Sequence, residues 1–287
     1  MKVLIVVFSP SGNTYKVANI LSDMLADKGE QVQLINLTRN KEYFYNKKEY
    51  LKEKINEHDV ICIGGPVYAH FFPTPLIDFI KNLPKPNKKW GRLAVPFLTY
   101  GKITSGIALL DAAELLNRSG RVNVLGLKIN SFHSYSRKFK NKINEGMPGK
   151  ESIPYIEELV DKIINLEISS QQKDVINEFN YKSEEEKENS RKRRESVVFP
   201  KIEFNYNNCN KCGACEKVCP VLNIEIEANG PKIINFNKCI SCSECFHVCS
   251  KGGIVYDVLK FENKLTAISQ GKDPYIKPEL PDSKVFY

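Results

Sequence analysis

Eight of the nine cysteines in this 287-residue chain fall into two copies of one pattern. The first copy is Cys209, Cys212, Cys215 and Cys219, followed by Pro220; the second is Cys239, Cys242, Cys245 and Cys249, followed by Ser250. Both read C-x2-C-x2-C-x3-C, a spacing that presents thiolates to [4Fe–4S] cubanes. Such clusters exchange single electrons, so the residues with the clearest chemistry point to redox work. Two other uses of cysteine fit less well. Disulfides require export to an oxidising compartment. Met1-Lys2 leads into only the six apolar residues Val3 to Phe8, too short for a secretory core or a membrane span. A cytoplasmic protein with no membrane span is therefore expected. Zinc sites favour C-x-x-C knuckles or a Cys/His mixture, not triplets with a fourth cysteine three residues on. His247, between Cys245 and Cys249, reads as a neighbour that tunes a cluster, not as a ligand.

The doubled run resembles the bacterial-type two-cluster ferredoxins, which have a small α+β fold. The resemblance implies that each triplet shares its cluster with the last cysteine of the other copy. Cys209, Cys212, Cys215 and Cys249 then hold one cluster; Cys239, Cys242, Cys245 and Cys219 hold the other. Ser250 departs from the usual proline, and Gly252-Gly253 supplies the turning freedom instead. No ligand is lost.

A ferredoxin-like part takes only about sixty residues, so something larger precedes it. The first 130 residues alternate short apolar runs with amphipathic segments, as helices covering a parallel sheet would. Strands are expected at Lys2–Ser9, Gln31–Asn36, Val60–Gly64, Arg92–Leu98 and Arg121–Ile129. Helices are expected at Thr14–Lys28, Lys47–Glu57, Thr74–Asn82, Ser105–Ser119 and Pro154–Leu166. That alternation predicts an α/β, doubly wound, flavodoxin-like sheet of five parallel strands in the order 2-1-3-4-5.

The loops after the first, third and fourth strands face one sheet edge. Ser9, Pro10, Ser11, Gly12, Asn13 and Thr14 open directly onto a helix, where hydroxyls and free N–H groups can bind a dianionic phosphate. The same residues also suit a plain N-cap turn. Their position resembles the phosphate loop of flavodoxins, and that resemblance implies FMN. It assigns the phosphate to Ser9, Ser11, Gly12, Asn13 and Thr14. Gly65, Pro66, Val67 and Tyr68 on one side, and Thr99, Tyr100 and Gly101 on the other, would flank the ring. Tyr68 and Tyr100 would stack on it, although each would serve equally as a packed strand end. Taken whole, the chain resembles the flavodoxin–ferredoxin fusions of anaerobes, often called EFR-type. That implies FMN and two [4Fe–4S] clusters in one polypeptide, with electron transfer between them.

The expected domains are a flavodoxin-like FMN domain (1–168), a charged connector (169–199), the 2[4Fe–4S] domain (200–257), and a C-terminal helix with an extended tail (258–287). The connector, rich in Glu and Gln, is expected to be partly helical and to let the domains move. The tail helix is expected on Val258, Leu259, Phe261, Leu265 and Ile268, ending near Gly271; Pro274, Pro278 and Pro281 mark an extended strap. The polar loop 130–150 leaves strand five and can fold over the flavin or toward the clusters. Cys62 reads as core.

The net charge of +8 invites a nucleic-acid reading. Two clusters at about −2 each and a flavin phosphate at about −2 would bring the loaded protein near about +2. Arg191–Arg194 also sits beside the acidic Glu184–Glu186, a solvated pattern, so no nucleic-acid partner is expected. Two redox readings follow. One is a carrier linking a one-electron, ferredoxin-type partner to two-electron flavin chemistry. The other is an FMN-dependent reductase of a small electrophile (quinone, nitro compound or activated alkene), with His70, Tyr100 and His133 as candidate proton donors. A cluster-stabilised interaction module with no flavin is the non-redox alternative. No G-x-G-x-x-G follows a strand, so NAD(P)H oxidation is not expected. A homodimer setting one subunit's clusters beside the other's flavin fits the sequence as well as an intrachain route.

Overall fold

The run Lys2–Val7 forms β1, flanked in parallel register by β2 (Gln31–Asn36) and β3 (His58–Pro66). Its residues are almost continuously apolar because helices cover both faces of the sheet. α1 (Asn13–Asp27) presents Val17, Ala18, Leu21 and Leu25 as one stripe to the first face. α2 (Lys41–Tyr45), α3 (Lys47–Glu53) and α4 (Thr74–Lys81) cover the opposite face. There they are joined by α5 (Ala108–Arg118), which follows β4 (Trp90–Tyr100). After β5 (Val122–Asn123) and β6 (Gly126–Asn130), α6 (Ile153–Ile164) packs beside α1. The computed structural model describes residues 1–168, 171–196, 202–257, 261–272, 279 and 282–287.

The expected sheet of five parallel strands is corrected in two places. Seven strands form it, in the order β11-β6-β4-β3-β1-β2, with β5 also on β4. First, strand five is broken. Asn123 pairs with Ala94 and Leu127 with Phe97, so one extra residue interrupts the register. Second, β11 (Lys284–Phe286) returns from the end of the chain and adds to β6 antiparallel. It buries Val285 and Phe286, covering an edge that would otherwise carry unpaired backbone groups.

The charged connector also differs from a loose tether. Its few apolar residues enter the core: Val175 N–H donates to Asn123 O at 2.8 Å, and Phe179 is fully buried. Gly126 makes room for it, since a Cβ there would lie 2.4 Å from the Phe179 ring. α7 (Glu184–Ser196) follows and holds Lys187 and Ser190 in buried positions.

In the C-terminal part, β7 (Glu203–Phe204) pairs with β10 (Ile254–Val255). Between them lie α8 (Ala214–Val218), the hairpin β8 (Ile224–Glu227) with β9 (Gly230–Ile233), and α9 (Glu244–Val248). α10 (Glu262–Ser269) ends at Gly271, whose φ of +68° suits a helix C-terminus. Val258, Leu259, Pro274, Pro278 and Pro281 lie outside the described residues. Apolar residues of the C-terminal part, including Val221, Ile224, Ile254 and Tyr256, share one core with α4 and α5. The two halves are thereby packed together.

Candidate functional site

A cavity of about 130 Å³ opens where β1, β3 and β4 end. Ser11 and Asn13 line it from the first loop, Pro66, Val67, Tyr68 and Ala69 from the second, and Thr99, Tyr100 and Gly101 from the third. Segment 131–135 closes the remaining side. The residues behind this wall hold it in shape. Gly12 takes a left-handed φ of +87° at the start of α1, with nothing near its missing Cβ. Ser9 Oγ accepts from Tyr15 N–H at 3.0 Å, and Thr14 Oγ1 meets Thr99 Oγ1 at 2.7 Å, tying the first loop to β4. Asn13 Nδ2 donates to Phe132 O at 3.1 Å, fastening the closing segment. Thus Ser9, Gly12, Thr14 and Gly65 do not themselves line the cavity. Gly65 is small for the core's sake: a Cβ would come within 2.6 Å of Leu76 Cδ2. A helix start carrying Ser11 and Asn13, set beside an aromatic-walled slot, suits a phosphate joined to a flat ring.

The three candidate proton donors fare unequally. His70 does not line the cavity; its Nδ1 meets Ser190 Oγ of α7 at 2.9 Å, and its carbonyl accepts from Ile107 N–H. Tyr100 lines the cavity, but its hydroxyl donates to Asp282 O at 2.8 Å. Burial, then Glu279 and Asp282, pushes its pKa well above the ordinary phenol value. His133 is brought to the wall, with Nδ1 buried and unpartnered. Burial lowers its pKa to about 4, so the ring is neutral at physiological pH. Of the three, Tyr100 and His133 line the cavity and His70 does not; the Tyr100 hydroxyl is engaged with Asp282 O, and the neutral His133 ring keeps a single N–H.

The cysteine repeats fold as a pseudo-symmetric pair. Asn205 and Asn235 cap equivalent turns before Cys209 and Cys239. Lys211 and Ser241, then Gly213 and Ser243, take left-handed conformations at matching positions (φ +57°, +54°, +75° and +63°). These wrap the backbone around each triplet and aim N–H groups inward: Lys211 N–H reaches Cys209 Sγ at 3.4 Å, and Asn223 N–H reaches Cys219 Sγ at 3.2 Å. None of the nine cysteines forms a disulfide. Cys219 lines one cavity with Cys239, Cys242 and Cys245, although it belongs to the other repeat. Burial first, then the neighbouring thiols, raises Cys245 to about 12, so thiolates here need the positive charge of iron. Cys209, Cys212 and Cys215 act electrostatically on one another, and Gly253 brings the Cys249 turn against Cys209. Among the described residues no three Cys, His, Asp or Glu side chains converge closely enough for a single metal ion. Four cysteines from both repeats around one cavity suit thiolates at the corners of a cubane.

The two cavities are joined by a contact that the sequence did not reveal. Tyr135, on the flavin side, donates through its hydroxyl to Ser241 O, between Cys239 and Cys242. Tyr256 stands 3.0 Å from the same hydroxyl. Arg137 pairs with buried Glu244 at 2.7 Å, and Arg39 N–H donates to Pro220 O at 2.9 Å. The loop 130–150 therefore both closes the cavity and grips the cluster region. Its sequence carries no periodicity that could have announced this. His247 lies in α9 with both ring nitrogens unpartnered and its pKa lowered to about 4, chiefly by burial.

A family model described as NADPH-dependent FMN reductase matches residues 1–128. A second, described as a 4Fe-4S dicluster domain, matches residues 177–254. The chain is thus a fusion of an FMN-binding flavodoxin-like module with a 4Fe–4S dicluster module. Its cofactors are FMN and [4Fe–4S] clusters, an architecture consistent with electron transfer that links flavin and iron–sulfur chemistry. Among solved structures, flavodoxin 1 from Bacillus cereus is 18% identical, with a TM-score of 0.42, covering 58% of this chain and 100% of that one. A flavodoxin from the domain Archaea is 21% identical, with a TM-score of 0.39, covering 57% of this chain and 96% of that one. The apo form of the NADH:FMN oxidoreductase EMOB is 18% identical, with a TM-score of 0.45, covering 59% of this chain and 91% of that one. Comparison with curated proteins gives no match. No described helix is long and apolar enough to cross a membrane.

Proposed function

We propose that this protein is a flavo-iron–sulfur carrier of the EFR-type kind, linking a one-electron, ferredoxin-type partner to two-electron flavin chemistry. When bound, FMN exchanges electrons in pairs or singly, and the cubanes exchange them singly. Ser11, Asn13 and the N–H groups around Gly12 bind the phosphate, while Tyr68 and Tyr100 flank the ring. His133 closes the site as a neutral, water-excluding wall. Cys219, Cys239, Cys242 and Cys245 hold the flavin-side cluster; Cys209, Cys212, Cys215 and Cys249 hold the other.

One observation carries the reading: Tyr135 of the cavity wall is hydrogen-bonded to Ser241, in the loop between Cys239 and Cys242. It supports an intrachain route over one between subunits. Cys212 is exposed and Cys209 and Cys249 are partly so, which suits the second cluster to a protein partner. The reductase reading has less support, because His70 lies off the cavity, the Tyr100 hydroxyl is engaged with Asp282 O, and His133 is a neutral ring, a weaker acid than an imidazolium.

Anaerobic purification tests the proposal. About one FMN and about eight irons per chain are expected. Stopped-flow mixing with a reduced ferredoxin should reduce both centres, whereas NADPH should reduce neither quickly. Rapid reduction by NADPH, or turnover of a quinone by the prereduced protein without a partner, would overturn the carrier reading.

A further inference from the structure

The Tyr68 side chain stands between the two cavities. Its ring lines the flavin slot and also borders a groove that reaches Cys239. Its hydroxyl oxygen is buried and has no hydrogen-bond partner among the described residues. An unsatisfied buried hydroxyl is costly and is retained where something else completes it. Nearby Tyr135 and Tyr256 do not, since their hydroxyls are spent on each other and on Ser241 O. The groove that Tyr68 borders reaches Cys239 and Ile240, which also line the cluster cavity, and after burial Cys242 is the first group acting electrostatically on its hydroxyl. Cys242 itself lines the cavity shared with Cys219, Cys239 and Cys245.

We infer that the Tyr68 O–H donates a hydrogen bond to a sulfur of the cluster held by Cys219, Cys239, Cys242 and Cys245. Tyr68 is then a positioning residue with one face for the flavin and one atom for the cluster. A donor to a cluster sulfur draws electron density from it and favours the reduced state, raising that cluster's potential. The lone hydroxyl is thereby satisfied only in the loaded protein. This rests on the assignment of flavin and cluster to the two cavities made above.

The test is Tyr68→Phe in the full-length holoprotein, with iron and flavin counted first. Both cofactors should be retained, because the ring is unchanged. In an anaerobic redox titration followed by EPR, one of the two clusters should shift to a more negative potential while the other stays fixed. Tyr50→Phe, on α3 and lining neither cavity, serves as the control and should move neither. Full cofactor content with both cluster potentials unmoved would overturn the hydroxyl assignment alone. A wild-type iron count of half the expected value would instead overturn the assignment of the clusters. If Tyr68→Phe cannot hold its cluster, the wild-type protein decides. Resonance Raman Fe–S(Cys) bands should shift between H2O and D2O; their invariance would sink the inference.

Discussion

The hydroxyl of Tyr135 donates to the carbonyl oxygen of Ser241, joining the segment that closes the flavin cavity to the loop between two cluster cysteines. The bond spans 106 positions in the chain. Tyr135→Phe should cost about 1 kcal/mol, the usual net worth of one such bond. The Ser241 carbonyl would keep only Tyr256, at 3.4 Å. A lower thermal midpoint with full cofactor content, and faster amide exchange near 241–243, would bear this out. Unchanged exchange would mean that the two halves are held by their shared core alone.

Cys219 sits in the first repeat but lines the cavity of the second. Cys219→Ser should therefore disturb the cluster of Cys239, Cys242 and Cys245, leaving a cubane on the first triplet with Cys249. Iron content should fall from about eight toward about four per chain. Double substitution with Cys242→Ser should cause no further loss. If the second substitution removed another cluster, the ligand assignment would be wrong.

Gly101 has no room for a side chain: a Cβ would stand 2.7 Å from His133 Cα. Gly101→Ala must push back the segment that closes the cavity. Overpacking of this kind costs about 1–3 kcal/mol, so FMN retention should weaken on the order of tenfold. Iron content should not change. Flavin titration of the apoprotein measures the first, iron assay the second.

Glu279 is buried between Lys128 and Lys182 and also accepts from Ser105 and Thr104. Burial pushes its pKa up, but Lys182 and Lys128 outweigh that and hold it at about 2. Unfolded, the carboxyl titrates near about 4.3. Its stabilisation is therefore complete above about pH 4.3 and is lost as pH falls through about 2. At pH 7, Glu279→Gln leaves two buried cations facing a neutral group and should cost about 3 kcal/mol. Denaturant unfolding at pH 7 and at about pH 2 should show the gap between variant and native protein closing on the acid side, with most of it still present at about pH 4.

The sequence by itself determined the cofactor chemistry and the parallel body of the sheet. Cysteine spacing is local: C-x2-C-x2-C-x3-C wraps a cubane wherever the segment lies. Buried apolar runs such as Val3–Val7 likewise announce central strands without a neighbour's help. The glycines of the loops were legible as glycines but not by purpose, since Gly65 is small for Leu76 and Gly101 for His133. Tertiary structure decided what depends on distant partners. It gave β11 to the β6 edge, buried Phe179 from a segment that looked like a charged tether, and tied His70 to Ser190 and Tyr100 to Asp282. It also set Tyr68 between the cavity and a groove that reaches Cys239, and Tyr135 against Ser241. Such contacts rest on single side chains meeting across a hundred or more residues. They leave no periodicity in the chain, because only the packed core brings their partners within reach.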